Sequence, residues 1–152
     1  MSAGFDKLAP WYGILESFLF GSKLQQMRCA YLDQLADVGS VLLIGEGTGS
    51  FLERLLKVNL KVAVTIVEPS SEMIDRSRNR VASKDLCRVS FHRTTLLDFE
   101  SIQSFDAVCT FFFWDCFEEY QLRLMLPAFS KYTKDGSLWI DVDFFELSET
   151  FL

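Results

Sequence analysis

The segment SVLLIGEGTGSFLERLL, Ser40 to Leu56, admits few folds. Val41 to Ile44 are apolar on consecutive residues, the pattern of a strand buried on both faces rather than one with a wet side. The run ends in Gly45-Glu46-Gly47-Thr48-Gly49, and a helix-like segment follows at once. Glycines at such a turn permit positive φ and let a ligand pack against bare backbone. A helix starting there directs its free N–H groups and positive dipole end at an anion.

The rest of the chain repeats the alternation. Two helices precede the first strand. One spans about Asp6 to Phe20 and is interrupted near Pro10; the other runs from about Lys23 to Leu35 and is closed by Gly39. Gly49 to Lys57 reads as helix, LKVAVTIVE as a second buried strand, and EPSSEMIDRSRNRVA as a helix begun by Ser70 or Ser71. RVSFHRT and FDAVCTFFFW are a third and fourth strand, EEYQLRLMLPAFSKYT is a helix, and KDGSLWIDVDFF leads into a fifth strand. Strands that alternate with helices imply an α/β fold, a parallel sheet with helices on both faces. The 152 residues make one domain, with no repeat and no low-complexity linker.

In such sheets a ligand sits outside the carboxyl ends of the strands, where GEGTG lies. Glu68 ends the second strand, 23 residues after Gly45. A carboxylate there can accept hydrogen bonds from both hydroxyls of a ribose. Glycine turn and acid together point to an adenosine-like ligand. The dinucleotide fingerprint G-x-G-x-x-G would need glycine where Ser50 stands, and Glu46 is a poor neighbour for a pyrophosphate. A sulfonium-bearing amino acid fits better, its carboxylate on loop N–H groups and its ammonium on acceptors.

Other classes are disfavoured. The net charge of −6, without a Lys/Arg-rich run, argues against a nucleic-acid partner. No uncharged apolar run is long enough to span a bilayer, and the N-terminus lacks the pattern of a signal peptide. Cys29, Cys87, Cys109 and Cys116 are scattered, as reduced thiols of a cytoplasmic protein would be, and with His92 as the one histidine no metal site is expected.

These stretches resemble the class I S-adenosylmethionine-dependent methyltransferases. VLLIGEGTG looks like their first motif, VTIVEPSSEMI their second, VSFHRTTLLDF the segment that closes on adenine, and FDAVCTFFFWDCF the fourth motif. FDKLAPWYG is similar to the N-terminal helix that caps the pocket in small-molecule members, so residues 1–38 would form a helical cap. The resemblance covers about Phe5 to Phe145. It implies a Rossmann-like sheet of about five strands in the order 3-2-1-4-5, S-adenosylmethionine as cofactor with S-adenosylhomocysteine as product, and a small-molecule methyl acceptor.

Carried over by position, it assigns Gly45, Glu46, Gly47, Thr48 and Gly49 to the methionine part and Glu68 to the ribose. Pro69 and Met73 would flank the adenine, Thr95 and Leu96 would read its edge, and Phe111 would begin the segment beside the methyl group. Arg28 would pair with the cofactor carboxylate; a solvated helix face is its rival reading. Two positions depart from the family pattern. Leu43 stands where an acid is common, with Glu46 as its substitute on the ammonium, and Thr95 stands where an acid often meets the adenine amino group.

Methyl transfer from a sulfonium is a displacement, so the protein mainly aligns the partners and excludes water. A base is needed only when the acceptor must lose a proton. Asp115 and Asp143 are the candidate catalytic residues, with Asp141 beside them, and Phe112, Phe113 and Trp114 offer faces to a cation. The competing readings are a helix cap near Glu118 for Asp115, a half-exposed edge strand for Asp141 and Asp143, a surface position for His92, and core packing for the phenylalanines.

The resemblance implies a sheet that ends in two further strands, and the expectation here is that this sequence lacks them. An unpaired fifth strand, Leu138 to Phe144, would be a liability, so a homodimer or residues Glu146 to Leu152 are expected to cover it. The competing functions are an inert cofactor-binding module or truncated fragment, and an NAD(P)-dependent oxidoreductase.

Overall fold

The computed structural model describes residues 22–144. The expected first helix and the segment from Glu146 to Leu152 lie outside the described residues. Five strands, β1 (Ser40–Ile44), β2 (Ala63–Val67), β3 (Val89–His92), β4 (Ala107–Phe111) and β5 (Leu138–Val142), form one sheet in the order β3-β2-β1-β4-β5. Every pairing is parallel. The helices are α1 (Ser22–Arg28), α2 (Ser50–Val58), α3 (Ser71–Arg80) and α4 (Glu119–Ser130).

Burial follows strand position. β4 is buried at all five residues, and β1 at all but Ser40, as expected of strands covered on both faces. β3, at one edge, alternates between half-buried and exposed residues. On one face Val41, Leu43, Ile66, Cys109 and Ile140 pack with Leu24 of α1 and Phe51, Leu52, Leu55 and Leu56 of α2. On the other, Leu42, Ile44, Val67 and Val108 pack with Met125 and Phe129 of α4. Each fully buried Leu or Phe side chain contributes about 1.5–3 kcal/mol, so these two layers dominate stability.

Polar clamps tie the sheet at the amino ends of the strands, away from the glycine turn. Asp106 Oδ2 accepts from the N–H and hydroxyl of Ser40 at 2.9 and 3.0 Å, and Lys134 Nζ reaches Asp106 Oδ1 at 2.6 Å. Buried Asn59 donates to the carbonyls of Leu35 and Val38 and accepts from the N–H groups of Lys61 and Val62. Every position of that amide is used.

Several elements are shorter than expected, and two of these differences have a local cause. The helix expected through Leu35 ends at Arg28, and a separate 3-10 turn covers Leu32–Leu35. Tyr31 leaves the helical region there (φ −116°, ψ 20°), and Leu35 still reaches the core. β5 stops at Val142 rather than Phe144, because Asp143 turns aside to bind backbone after β4.

Candidate functional site

Strand register builds the crevice. Ile44 pairs with Val67, the last residues of β1 and β2, so the chain delivers Gly45 and Glu68 side by side. The Gly45 N–H points to the Val67 carbonyl at 3.5 Å, and the Glu68 N–H donates to His92 O at 3.1 Å. Glu68 is buried, and its Oε1 accepts from the Ser70 N–H at 2.9 Å. Ser70 caps α3 by accepting from the Met73 N–H at 3.3 Å.

The three glycines of the turn all have positive φ, yet each answers to a different neighbour. A Cβ on Gly45 would meet Phe113 Cδ2 at 2.7 Å. A Cβ on Gly49 would lie 2.6 Å from Ser77 Cα, where α2 starts against α3. A Cβ on Gly47 would meet nothing within 4 Å. Two of the glycines therefore serve packing inside the protein, and Gly47 leaves open room. Ser77 fixes that open position by donating its hydroxyl to the Gly47 carbonyl at 2.9 Å.

The Phe51 and Leu52 N–H groups in the first turn of α2 are not free, contrary to expectation. Glu46 Oε1 accepts from the Phe51 N–H at 2.8 Å and the Leu52 N–H at 3.4 Å, with the Gly49 N–H also bonded to this carboxyl. Glu46 is 2% exposed, and its Oε2 has no hydrogen-bond partner among the described residues. Burial pushes its carboxyl up to about 7, opposed by the Phe51 N–H, then Arg28, then the Leu52 and Gly49 N–H groups. Arg28 is buried, not on a solvated face, and its guanidinium lies over the Phe112 ring, 5.0 Å from the centroid.

The adenine-side positions divide. Pro69 is half-buried and Met73 buried at the start of α3. Thr95 is exposed and donates to Asp98 Oδ2 at 2.7 Å, so an acid does stand nearby, three residues later than expected. Leu96 packs in the core with Ile44 and Val67. The Phe111 ring is likewise in the core, 4.5 Å from that of Phe51. His92 is exposed, with its ring edge-on to Phe99.

Beyond β4 the chain is strained and aromatic. Phe112 has φ 50°, a left-handed value that is a genuine outlier for a bulky residue. Its N–H donates to Val142 O at 2.7 Å, and its ring stacks on Phe144. Phe113 lies against Gly45 and is flanked edge-on by Trp114 and Phe117. Thr110, fully buried, donates to Asp141 Oδ1 at 2.6 Å and accepts from the indoles of Trp139 and Trp114 at 3.0 and 3.2 Å. All three positions of that hydroxyl are filled.

The structure brings Asp115 and Asp143 together. Asp143 Oδ2 accepts from the N–H groups of Trp114 and Asp115 at 2.8 and 3.2 Å, capping the short 3-10 turn Trp114–Cys116 from across the sheet. Burial raises the Asp115 carboxyl above its ordinary range, and a hydrogen bond and charge from Asp143 raise it further. Asp115 does not cap α4; Glu118 does, in a reciprocal box with Gln121. Asp141 is also raised, first by burial. Ser77 and Thr110 escaped sequence reasoning, and so did the packing of Phe113 on Gly45, because only the fold reveals what stands against each.

This is a five-stranded, all-parallel Rossmann-like sheet with its crevice at the carboxyl ends of β1 and β2. Residues 41–136 match the family model described as "Methyltransferase domain", and the chain belongs to that family. Its class is that of the S-adenosylmethionine-dependent methyltransferases, which sets aside the oxidoreductase alternative. Among solved structures it is similar to the DhpI–SAM–HEP complex, with TM-score 0.74 and 20% identity over 95% of this chain and 64% of that one. The sugar N-methyltransferase KedS8 from Streptoalloteichus sp ATCC 53650 gives 0.66 and 19%, covering 94% and 56%. SAM-bound CalS10, an amino pentose methyltransferase from Micromonospora echinaspora, gives 0.67 and 21%, covering 82% and 52%. The chain thus spans between about half and two thirds of the length of these structures. No curated protein matches it in sequence.

Proposed function

We propose that this chain binds S-adenosylmethionine across the β1–β2 crevice and transfers its methyl group to a small molecule. The observation that carries this reading is the strand register, which sets the glycine turn beside the terminal acid of β2 within the matched residues 41–136. The residues fit the group. Gly47 leaves room at the turn, Glu46 Oε2 is a buried acceptor for an ammonium, and Arg28 supplies a buried cation for a carboxylate. Gly45, Thr48 and Gly49 complete the methionine cradle, and Glu68 takes the ribose. Pro69, Met73 and the backbone at Thr95 and Leu96 border the adenine, while Phe111 leads into the segment beside the methyl group. When bound, the cofactor supplies an activated methyl on a sulfonium.

The chain's own residues then have three tasks. The main chain at Gly45 and Gly47 fixes the tail, the rings of Phe113 and Trp114 exclude water from the methyl side, and Asp115 handles a proton. A carboxyl raised by burial and by Asp143 is a stronger base than a free aspartate once ionised. An amine acceptor suits such a pair, since Asp143 and Asp115 can hold its ammonium and Asp115 can take the proton. The named activities of KedS8 and CalS10 support that choice of acceptor.

Calorimetric titration with S-adenosylhomocysteine and with NAD tests the cofactor. Glu68→Ala should weaken the former by about 1.5–3 kcal/mol, as expected for charge-assisted bonds. An unchanged dissociation constant would mean that the ribose lies elsewhere.

A homodimer is the reading we favour for the β5 edge. Among the described residues β5 has β4 as its one strand neighbour. Trp139 is 49% exposed, and a groove of about 190 Å³ runs there between Tyr31, Gln34 and residues 139–141. Light scattering should give the mass of two chains, and a one-chain mass would count against it. The four free cysteines support a cytoplasmic setting.

A further inference from the structure

The start of α2 poses a packing problem that the sequence solves in an uncommon way. Gly49 is the N-cap of this helix, with φ 86°. That position normally holds Ser, Thr, Asp or Asn, whose side-chain oxygen satisfies the first helical N–H groups. None of them can stand here, because any Cβ would lie 2.6 Å from the Ser77 backbone. The donors would be left buried and unsatisfied without another acceptor. Glu46 supplies it from three residues upstream, through Oε1 at 2.8 Å from the Phe51 N–H and 3.4 Å from the Leu52 N–H.

A helix N-terminus after a glycine turn is otherwise a ready-made site for phosphate or carboxylate. In this chain an internal carboxylate already occupies it. We propose that Glu46 is a specificity-determining residue: a built-in anion that fills the N-terminus of α2, so that the crevice refuses phosphate- and pyrophosphate-bearing ligands. It leaves room for a tail that carries its own ammonium. The second oxygen of the same carboxylate, Oε2, is buried without a hydrogen-bond partner among the described residues, as an acceptor awaiting such a cation would be. The choice of ligand tail rests on the cofactor reading above, whereas the filling of the helix end by Glu46 does not.

Glu46→Ala removes a fragment with the size and charge of acetate, so acetate is the matched probe. The melting temperature of the variant would be followed in sodium acetate and in sodium chloride at equal ionic strength, slightly above neutral pH. The expected result is a variant less stable than the parent in chloride and saturably restabilised by acetate, with no such response from the parent or from Glu46→Gln. Inorganic pyrophosphate should likewise bind Glu46→Ala at least tenfold more tightly than the parent. If Glu46→Ala fails to fold in chloride, its recovery on refolding in acetate supports the proposal. Failure to recover while Glu46→Gln folds overturns it. Equal responses of variant and parent to both anions would overturn it too. Because no step uses the cofactor, a failed titration with S-adenosylhomocysteine would sink the cofactor reading and leave this result standing.

Discussion

At the β1–β2 end of the crevice the working groups are main-chain N–H groups, bare glycine backbone and two buried acids, Glu46 and Glu68. At the β4–β5 end they are the carboxyl of Asp115, the Asp143 that caps its turn, and a run of rings on strained backbone. The first end is held from within the protein, since Glu46 accepts from the Phe51 and Leu52 N–H groups and two of the three glycines pack against neighbours. The second is held by side chains crossing between two strand tips. On the proposed function, a methyl donor shared by many reactions suits the backbone cradle, while an acceptor that varies suits exchangeable side chains.

Gly49→Ala is the harshest way to break this contrast. The left-handed backbone costs about 1–2 kcal/mol with a Cβ present, and the clash with Ser77 adds about 1–3 kcal/mol. A loss of about 2–5 kcal/mol should appear as a lower urea midpoint with an unchanged m-value. Gly47→Ala meets nothing within 4 Å and should lose only the backbone part, yet impair S-adenosylhomocysteine binding. If both variants were equally unstable, the separation of packing glycines from the ligand glycine would be wrong.

The next effect is a pH slope. The Glu46 carboxyl is raised to about 7 by burial, so the folded state holds its proton more tightly than the unfolded chain does. The stability that this held proton adds, beyond the N–H bonds that Oε1 keeps when ionised, is fully present below about pH 4.3, the ordinary glutamate value. It is lost as pH rises through about 7, and the curve is flat above. The drop is about 3 kcal/mol at about 1.4 kcal/mol per pH unit. Arg28 is the charged group facing this carboxyl and lessens the drop, while Cys29 beside Arg28 keeps its proton because burial raises it. Urea midpoints against pH should show the fall in the parent and a flatter line in Glu46→Gln. Parallel curves would mean that the carboxyl is better solvated than its burial implies.

The same contrast explains what could be read from the sequence. Backbone constraints leave marks on residue type: consecutive apolar residues gave the strands, and the glycines with Glu68 placed the crevice. The role of Glu46 as a cap was hidden, because it follows from Ser77 of α3 lying against Gly49, a contact between residues 28 apart in the chain. The split of the second helix at Arg28 was hidden too, since nothing in Cys29-Ala30-Tyr31 breaks a helix by composition. At β5, alternation of Ile140, Asp141, Val142 and Asp143 suggested a half-wet edge. Only the fold shows Asp141 tied to Thr110 and Asp143 turned across to the tip of β4.

The smallest expected effect tests the side-chain end. Asp143→Asn keeps an oxygen for the N–H groups of Trp114 and Asp115 but removes a charge beside the Asp115 carboxyl. Burial, the larger cause of the raised Asp115 value, remains, and the contribution from Asp143 disappears. Asp115 should then titrate at lower pH. Its stabilising effect, present below about pH 3.9 and lost as pH rises through the folded value, should end sooner. Neutral-pH stability should change by no more than about 0.5 kcal/mol, as at other surface positions. With an amine acceptor, the acid limb of kcat/KM should move to lower pH and its height should fall, because the ammonium loses one of two anionic partners. A carbon-13 titration of the Asp115 carboxyl that is identical in parent and variant would show the two acids to be independent. The β4–β5 end would then have no proton-handling pair, and methyl transfer there would depend on an acceptor that arrives already deprotonated.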